Sequence, residues 1–402
     1  MTTWWQCSLG DQITLQRGVD ITRKESSFGS VPVISSGGLS FYHNVSIDNG
    51  PGVVIGRKGS LGTVYWVNQP YWPHDTTLWV KDFKGNDSRF VYYALKSLDT
   101  KSLDVGSSNP TLNRNHVHPI QIWWTNLDTQ REITTALSAL DDKIELNRRI
   151  AGTLEEMARA LYRSWFVDFD PVRAKAEGRE PAHMDGATAA LFPDRFGEDG
   201  LPEGWHSRSL EEVADFLNGA ALQKFPPEEG CESLPVIKIA ELRLGITEKT
   251  ARASANLPTK YRINNGDVLF SWSGSLLQKV WTEGAGALNQ HLFKVTSEHV
   301  PKWFHYYAVD QHMDEFRQIA ASKATTMGHI QRRHLREAMV ALPDDPRILE
   351  AAGRIVAAAF DRAIAASLEN QTLAELRDTL LPKLMSGDIR VGEAREMAEA
   401  AE

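Results

Sequence analysis

Asp168 and Asp170 stand one residue apart in the stretch Trp165-Phe166-Val167-Asp168-Phe169-Asp170-Pro171, and an Asp-x-Asp pair can chelate a divalent metal. One reading is therefore a divalent-metal nuclease centred on these two carboxylates. No third ligand lies nearby, and the matching place later in the chain, Leu384-Met385-Ser386-Gly387-Asp388, has no such pair. The competing reading is the aromatic, acidic end of a helix. There Trp165, Phe166 and Phe169, with Leu384 and Met385, either anchor a partner protein or cap a local core. The chain lacks a Gly-x-x-x-x-Gly-Lys phosphate loop, His-Glu-x-x-His, Gly-x-Ser-x-Gly, and an Asn-Pro-Pro or Asp-Pro-Pro followed by an aromatic. Those absences argue against catalysis in this chain and leave no catalytic residue to nominate.

A second chemistry is carried by turns. Val53-Val54-Ile55 and Thr63-Val64-Tyr65-Trp66 read as strands around Arg57-Lys58-Gly59-Ser60, where cations can reach a base edge or a phosphate. The related turn Ser271-Trp272-Ser273-Gly274-Ser275 offers hydroxyls and an aromatic instead. Two polar, amide-rich loops follow. One, at 106–113, includes Asn109 and Asn113 and leads to Arg114 and His116; the other, at 322–331, includes Lys323, Thr325 and Gln331 and leads to Arg332 and His334. Arg57, Lys58, Ser60, Asn109, Asn113, Arg114, Ser271, Trp272, Ser273, Ser275, Lys323, Thr325, Gln331 and Arg332 are the candidate DNA contacts. The same composition also makes ordinary turns. The stretch 321–336, with Lys323, Arg332, Arg333 and Arg336 and no acid, is either a basic patch or a solvated helix face. The net charge of −8 argues against a protein that coats nucleic acid alone.

The elements that must position these turns come twice. Trp4, Ser8, Leu9 and Gly18 recur as Trp205, Ser209, Leu210 and Gly219, 201 residues later. Pro32-Val33-Ile34 recurs as Pro235-Val236-Ile237, and Gly59-Ser60-Leu61 as Gly274-Ser275-Leu276. Leu112, Arg114 and His116 recur as Ile330, Arg332 and His334, and Thr153-Leu154 as Thr372-Leu373. The spacing only grows along the chain, so each copy is a strand-and-turn domain followed by a long helix. The first helix carries Ile133, Leu137, Leu140, Ile144, Ala151, Leu154, Ala158, Leu161 and Trp165 in alternating steps of four and three, broken only at Asn147. It would be roughly 55 Å long. The second, over about 347–381, places alanines and Asn370 on the matching stripe, so the two could interdigitate. The asparagines are suited to fixing register.

The expected boundaries are a first domain at 1–125, its helix at 126–172, a Gly- and Pro-rich linker at 173–202, a second domain at 203–342, its helix at 343–386, and an acidic, mobile or helical tail at 387–402. Without a membrane span or signal peptide, the cytoplasm is the default location. Cys7 and Cys231 have no metal-ligand spacing and read as structural thiols.

These residues resemble the DNA specificity subunit of type I restriction-modification systems. "LEEMARALYRSWFVDFDPVRAK" (154–175) is similar to that family's central conserved region, and "LLPKLMSGDIRV" (380–391) to its distal one. "LPEGWHSRSLEEVADFLNG" (201–219) and "GDVLFSWSGS" (266–275) resemble parts of its target recognition domains. The resemblance implies an α+β fold of two similar α/β target recognition domains separated by two long antiparallel coiled-coil helices, with a pseudo-twofold internal repeat. It implies a non-catalytic chain that binds a bipartite double-stranded DNA target, the helices acting as a ruler for the spacer. The implied partners are two methyltransferase subunits and two restriction subunits. S-adenosylmethionine, ATP and Mg would be bound by those partners and no cofactor by this chain. Asp168-Phe169-Asp170 then becomes a scaffold element beside the methyltransferase surface. Recognition domains of the family vary freely, so the contact residues rest on turn chemistry alone.

Overall fold

A computed structural model describes residues 4–98, 111–322 and 328–399. It forms two compact units, 1–144 with 372–402, and 145–371. Each unit contains one globular domain and part of both long helices.

The helices are Leu127–Phe166 and Pro346–Ser386, 40 and 41 residues. Both begin at a polar cap. The Thr129 amide donates to Asn126 Oδ1 at 3.0 Å, and the Arg347 amide to Asp345 Oδ1 at 2.9 Å. Pro346 opens the second helix, where a missing N–H leaves no bond unmade. In the first unit Ile133, Leu137, Leu380 and Leu384 share a core, and Arg377 pairs with Asp141 at 2.8 Å. In the second unit Ala151 clusters with Ala363 and Ala366, whereas Tyr162, farther along, meets the ring of Tyr307, which also meets Phe360. The pairing is antiparallel, with large residues meeting large ones in the first unit and alanines meeting alanines at Ala151 in the second.

The two domains repeat strand by strand. In the first, Trp4–Ser8 pairs antiparallel with Gln121–Thr125; in the second, Trp205–Ser209 pairs with Met339–Pro343. Each has a four-stranded sheet of one topology. The order is Thr14–Arg17, Thr77–Asp82, Gly52–Gly56, Val64–Val67 in the first, and Asp215–Asn218, Leu292–Thr296, Val268–Ser271, Gln278–Val280 in the second. The third strand of that order is buried on both faces, so its side chains alternate between two cores. Val53 and Ile55 enter one cluster and Val54 another; Val268 and Phe270 enter one and Leu269 another. Each domain also carries a second sheet, three-stranded in the first and four-stranded in the second, with one parallel pair, Val31–Ser35 on Trp72–Pro73 and Ser233–Ile237 on Gly286–Leu288. Nine-residue helices, Ser88–Lys96 and Lys302–Asp310, pack behind.

The repeated glycine has a steric cause. A Cβ on Gly18 would lie 2.1 Å from the carbonyl oxygen of His74, and one on Gly219 2.2 Å from that of Asn289. At both places two segments run in parallel contact, Val19 with His74 and Ala220 with Asn289.

Two expectations change, and a third, the mobile or helical tail, resolves toward its helical alternative. The linker is folded: it contains helices Asp170–Ala176 and Gly186–Leu191, and Val172, Thr188 and Phe192 are buried. Glycine and proline here shape short connections around those anchors. The tail is not simply mobile, because Val391–Glu399 is helical and Ala394 is buried in the first core. Cys231 is exposed, so it is not a core thiol. Among the described residues no helix is long and apolar enough to cross a membrane.

Candidate nucleic-acid interface

In each domain the third strand of the four-stranded sheet ends in a turn, and the later polar loop is pinned beside it. In the first, the Arg57 and Lys58 amides both donate to the Thr76 carbonyl, at 2.9 and 3.2 Å, and the Leu112 amide donates to the Arg57 carbonyl at 2.9 Å. Lys58 and Thr111 form a bridge. In the second, the Ile330 amide donates to the Trp272 carbonyl at 2.9 Å and Ser273 bridges to His329. Turn and loop, far apart in sequence, meet in the same way twice.

Side chains then diverge. Arg57 is half-buried, with Nη1 3.4 Å from the Asp75 carbonyl oxygen. Burial, and next the nearby charge of Arg17, pull its pKa down from the ordinary arginine value, and Asp75 partly restores it. Arg17 forms an ion pair with Asp75 at 2.8 Å. Lys58 is half-buried and Ser60 exposed. Trp272 donates from Nε1 to Asn218 Oδ1 at 3.1 Å and lies against His291, Phe293 and His329, with ring centroids 5.7, 6.1 and 6.3 Å away. Ser273 is nearly buried, its hydroxyl 3.2 Å from His291 Nδ1. Cations hold the first tip and rings with hydroxyls the second.

Several candidates have structural duties. Ser271 is fully buried and its hydroxyl donates to the Ser275 carbonyl at 2.6 Å, closing the turn. Ser275 is exposed. Gln331 caps helix Arg332–Glu337, and Asn113 caps Arg114–Val117 by accepting from the Asn115 amide at 3.0 Å. Arg114 is exposed. Arg332 bonds Glu211 at 3.2 Å and the Phe216 carbonyl at 2.8 Å, and Arg336 takes the other Glu211 oxygen at 2.7 Å. Two arginines of the basic stretch thus share one carboxylate, Glu211. Asn109, Lys323 and Thr325 lie outside the described residues. Sequence reasoning missed Arg17, Asp75, Asn218 and His291. Arg17 and Asn218 could have been found as the residues immediately before the repeated Gly18 and Gly219.

The family described as "Type I restriction modification DNA specificity domain" matches residues 1–156 and 202–377, one match for each copy. The chain belongs to this family. It is 27% identical over 329 residues to the type I restriction enzyme HindI specificity subunit of Haemophilus influenzae, covering 70% of this chain and 71% of that one. It is 24% identical over 319 residues to the MjaIX specificity subunit of Methanocaldococcus jannaschii, covering 76% and 70%. The crystal structure of the type I restriction-modification system S subunit from M. genitalium shares the fold, with a TM-score of 0.59 over 96% of both chains at 16% identity. The chain is accordingly a type I specificity subunit with two target recognition domains, a DNA-recognition component rather than a catalytic one.

Within this specificity subunit the two carboxylates of the nuclease reading are occupied locally. Asp168 Oδ2 accepts from Arg163 Nε at 3.1 Å, and Asp170 Oδ2 accepts from the Ser164 hydroxyl at 2.7 Å. They belong to no group of three potential metal ligands among the described residues. Phe169 between them packs edge-on against Trp205 and Phe196.

The expected anchors also sit differently. Trp165 and Phe166 are 1% and 2% exposed, inside the second domain's core with Phe192, Trp205 and Phe304; Leu384 and Met385, at 1% and 7%, fill the first domain's core. The globular domains cover the helix ends, so these side chains have no free face in this conformation. Burial of each contributes about 1.5–3 kcal/mol to the fold. A partner arriving there would meet their exposed neighbours, such as Val167 and Trp123.

Proposed function

We propose that this chain reads a bipartite DNA sequence, one half with the domain at 1–125 and the other with the domain at 203–342, and presents it to two adenine-N6 methyltransferase subunits, with restriction subunits able to join. S-adenosylmethionine, ATP and Mg belong to those partners in this reading, and the complex works in the cytoplasm. One observation carries the proposal: two tips of equivalent backbone geometry bear unlike side chains, Arg57 and Lys58 in one and Trp272 and Ser273 in the other. A shared frame with different chemistry at its tip suits two readers of different sequences. The test is sequencing of N6-methyladenine in DNA from a host expressing this chain with its methyltransferase partner. The expected result is one motif of two short defined halves around an undefined gap. An uninterrupted motif, or methylation without sequence preference, refutes the proposal.

A further inference from the structure

Asp75 sits at the centre of the first tip, and one of its carboxylate oxygens holds a cation. Oδ2 accepts from Arg17 at 2.8 Å and Oδ1 lies 3.2 Å from His74 Nδ1. The Asp75 side chain is 17% exposed and the Arg17 side chain 56%, so a sheltered carboxylate holds an outward cation. Arg57 reaches the carbonyl of the same residue. One guanidinium therefore bonds the Asp75 carboxylate and the other only its main-chain carbonyl, and positive charge is disfavoured at Arg57 by burial and by Arg17. Acceptor atoms supplied from outside would relieve that imbalance. Asp75 engages only Nη2 of Arg17, so the rest of its donor fork remains available for a planar, two-acceptor partner.

We infer that Arg17 is a base-reading residue of the first half-site, contacting the N7 and O6 edge of a guanine together with Arg57, and that Asp75 is the positioning residue that fixes its guanidinium. The inference rests on the proposed function above. Its counterpart in the second domain occupies the same frame: Asn218, like Arg17, precedes the close-approach glycine and is bonded to the turn residue Trp272. Asp20, His74 and Asp75 each offer one ligand atom within 4.8 Å of the other two, a spacing a metal could use, and Asp75 Oδ1 is the oxygen 3.2 Å from His74 Nδ1. Arg17 already holds the remaining Asp75 oxygen, which favours the carboxylate as a support for arginine.

The experiment uses the assembled complex of this chain with its methyltransferase subunits and measures methylation across a DNA library randomised in both halves. Arg17→Ala, Arg17→Lys and Asp75→Asn should each lower the preference for one guanine position of the first half by roughly tenfold or more, the scale of one bidentate contact. Second-half preferences should stay unchanged. Arg17→Lys retains the charge and tests the fork itself. Asp75→Asn removes a negative charge, so a merely electrostatic role predicts tighter binding to every sequence with preferences intact, and that result overturns the positioning role. Uniform weakening in Arg17→Ala with a shallower salt dependence marks a phosphate contact and overturns base reading. If Asp75→Asn does not fold, Arg17→Lys alone decides. Absence of sequence preference in the unaltered complex would instead defeat the proposed function.

Discussion

The two recognition domains join their tips to a later loop with the same backbone contacts and stabilise them with different chemistry. Around Arg57 the contacts are ionic, Arg17 to Asp75 and Arg57 to the Asp75 carbonyl; around Trp272 they are rings and neutral hydrogen bonds, with Asn218, His291 and Phe293. The main-chain bond and bridge that fix turn to loop recur in both copies, Leu112 to Arg57 and Ile330 to Trp272, although the tip side chains differ. A recognition frame of this kind separates folding from specificity. Side chains behind the frame should therefore govern stability, and side chains at the tip should govern sequence preference, each within its own domain.

The largest test of that division lies behind the frame. Phe166 touches the rings of Tyr162, Trp205, Trp303 and Phe304 in the second domain. Phe166→Ala should destabilise that domain by about 3–5 kcal/mol, seen in its melting temperature and amide exchange, with the first domain unaffected. A variant that keeps full stability and loses only methyltransferase binding would return Phe166 to the partner surface and break the division.

A smaller effect separates the domains by pH. Val91 and His305 are the fourth residues of the equivalent helices Ser88–Lys96 and Lys302–Asp310, and both are buried. Burial, with a lesser contribution from Lys302, pushes the His305 pKa down to about 4. The unfolded chain takes up this proton near its ordinary value of about 6.5, so folding excludes a proton that the unfolded state binds. Stability from the neutral ring is complete above that value and declines as pH falls toward 4, by on the order of 3 kcal/mol at most. The second domain should lose stability over this window, and His305→Val should abolish its share of the loss. Equal acid sensitivity of the variant and the original chain would remove His305 as the cause.

At the tips themselves the effects concern preference. Arg57→Ala should cost about 1–3 kcal/mol of discrimination, confined to the first half-site. Trp272→Ala should act only on the second, by about 1 kcal/mol. Methylation of a library randomised in both halves measures the two together. Crossed effects would mean that the two domains do not read independently.

Local pattern revealed much of this arrangement. The step of three and four residues located both helices, and repeated blocks such as Gly18 and Gly219 located both frames, because each signal reports a neighbour or a periodicity within one segment. The Arg17–Asp75 pair was not legible, since it depends on antiparallel pairing of Thr14–Arg17 with Thr77–Asp82. Trp165 and Phe166 were ambiguous for a different reason: large apolar residues at a helix end look alike whether a partner or the chain's own domain covers them. Phe192 was hidden by its Gly- and Pro-rich surroundings, although one buried ring is enough to order a short connection.

The smallest expected effect concerns the seam of the second unit. Asn147 is fully buried with both amide atoms unpartnered by protein groups, and Asn370 has an unpartnered Oδ1. One turn before Ala151 is Asn147 and one turn after Ala366 is Asn370; since Ala151 and Ala366 share a cluster in an antiparallel pair, the two amides stand near one level of the seam. Their repeat counterparts are these same two alanines, Asn147 matching Ala366 and Ala151 matching Asn370, so each copy has one asparagine and one alanine with their order exchanged. A buried amide costs stability when left unsatisfied and restricts the registers in which helices can pair. Replacing both, Asn147→Leu with Asn370→Leu, should raise the second unit's unfolding free energy by about 1 kcal/mol while loosening helix register. Denaturant unfolding reads the first consequence, and the spread of distances between spin labels on the two helices within 145–371 reads the second. A destabilised pair variant with an unchanged distance distribution would show that the amides are bonded through water and hold the seam together rather than selecting its register.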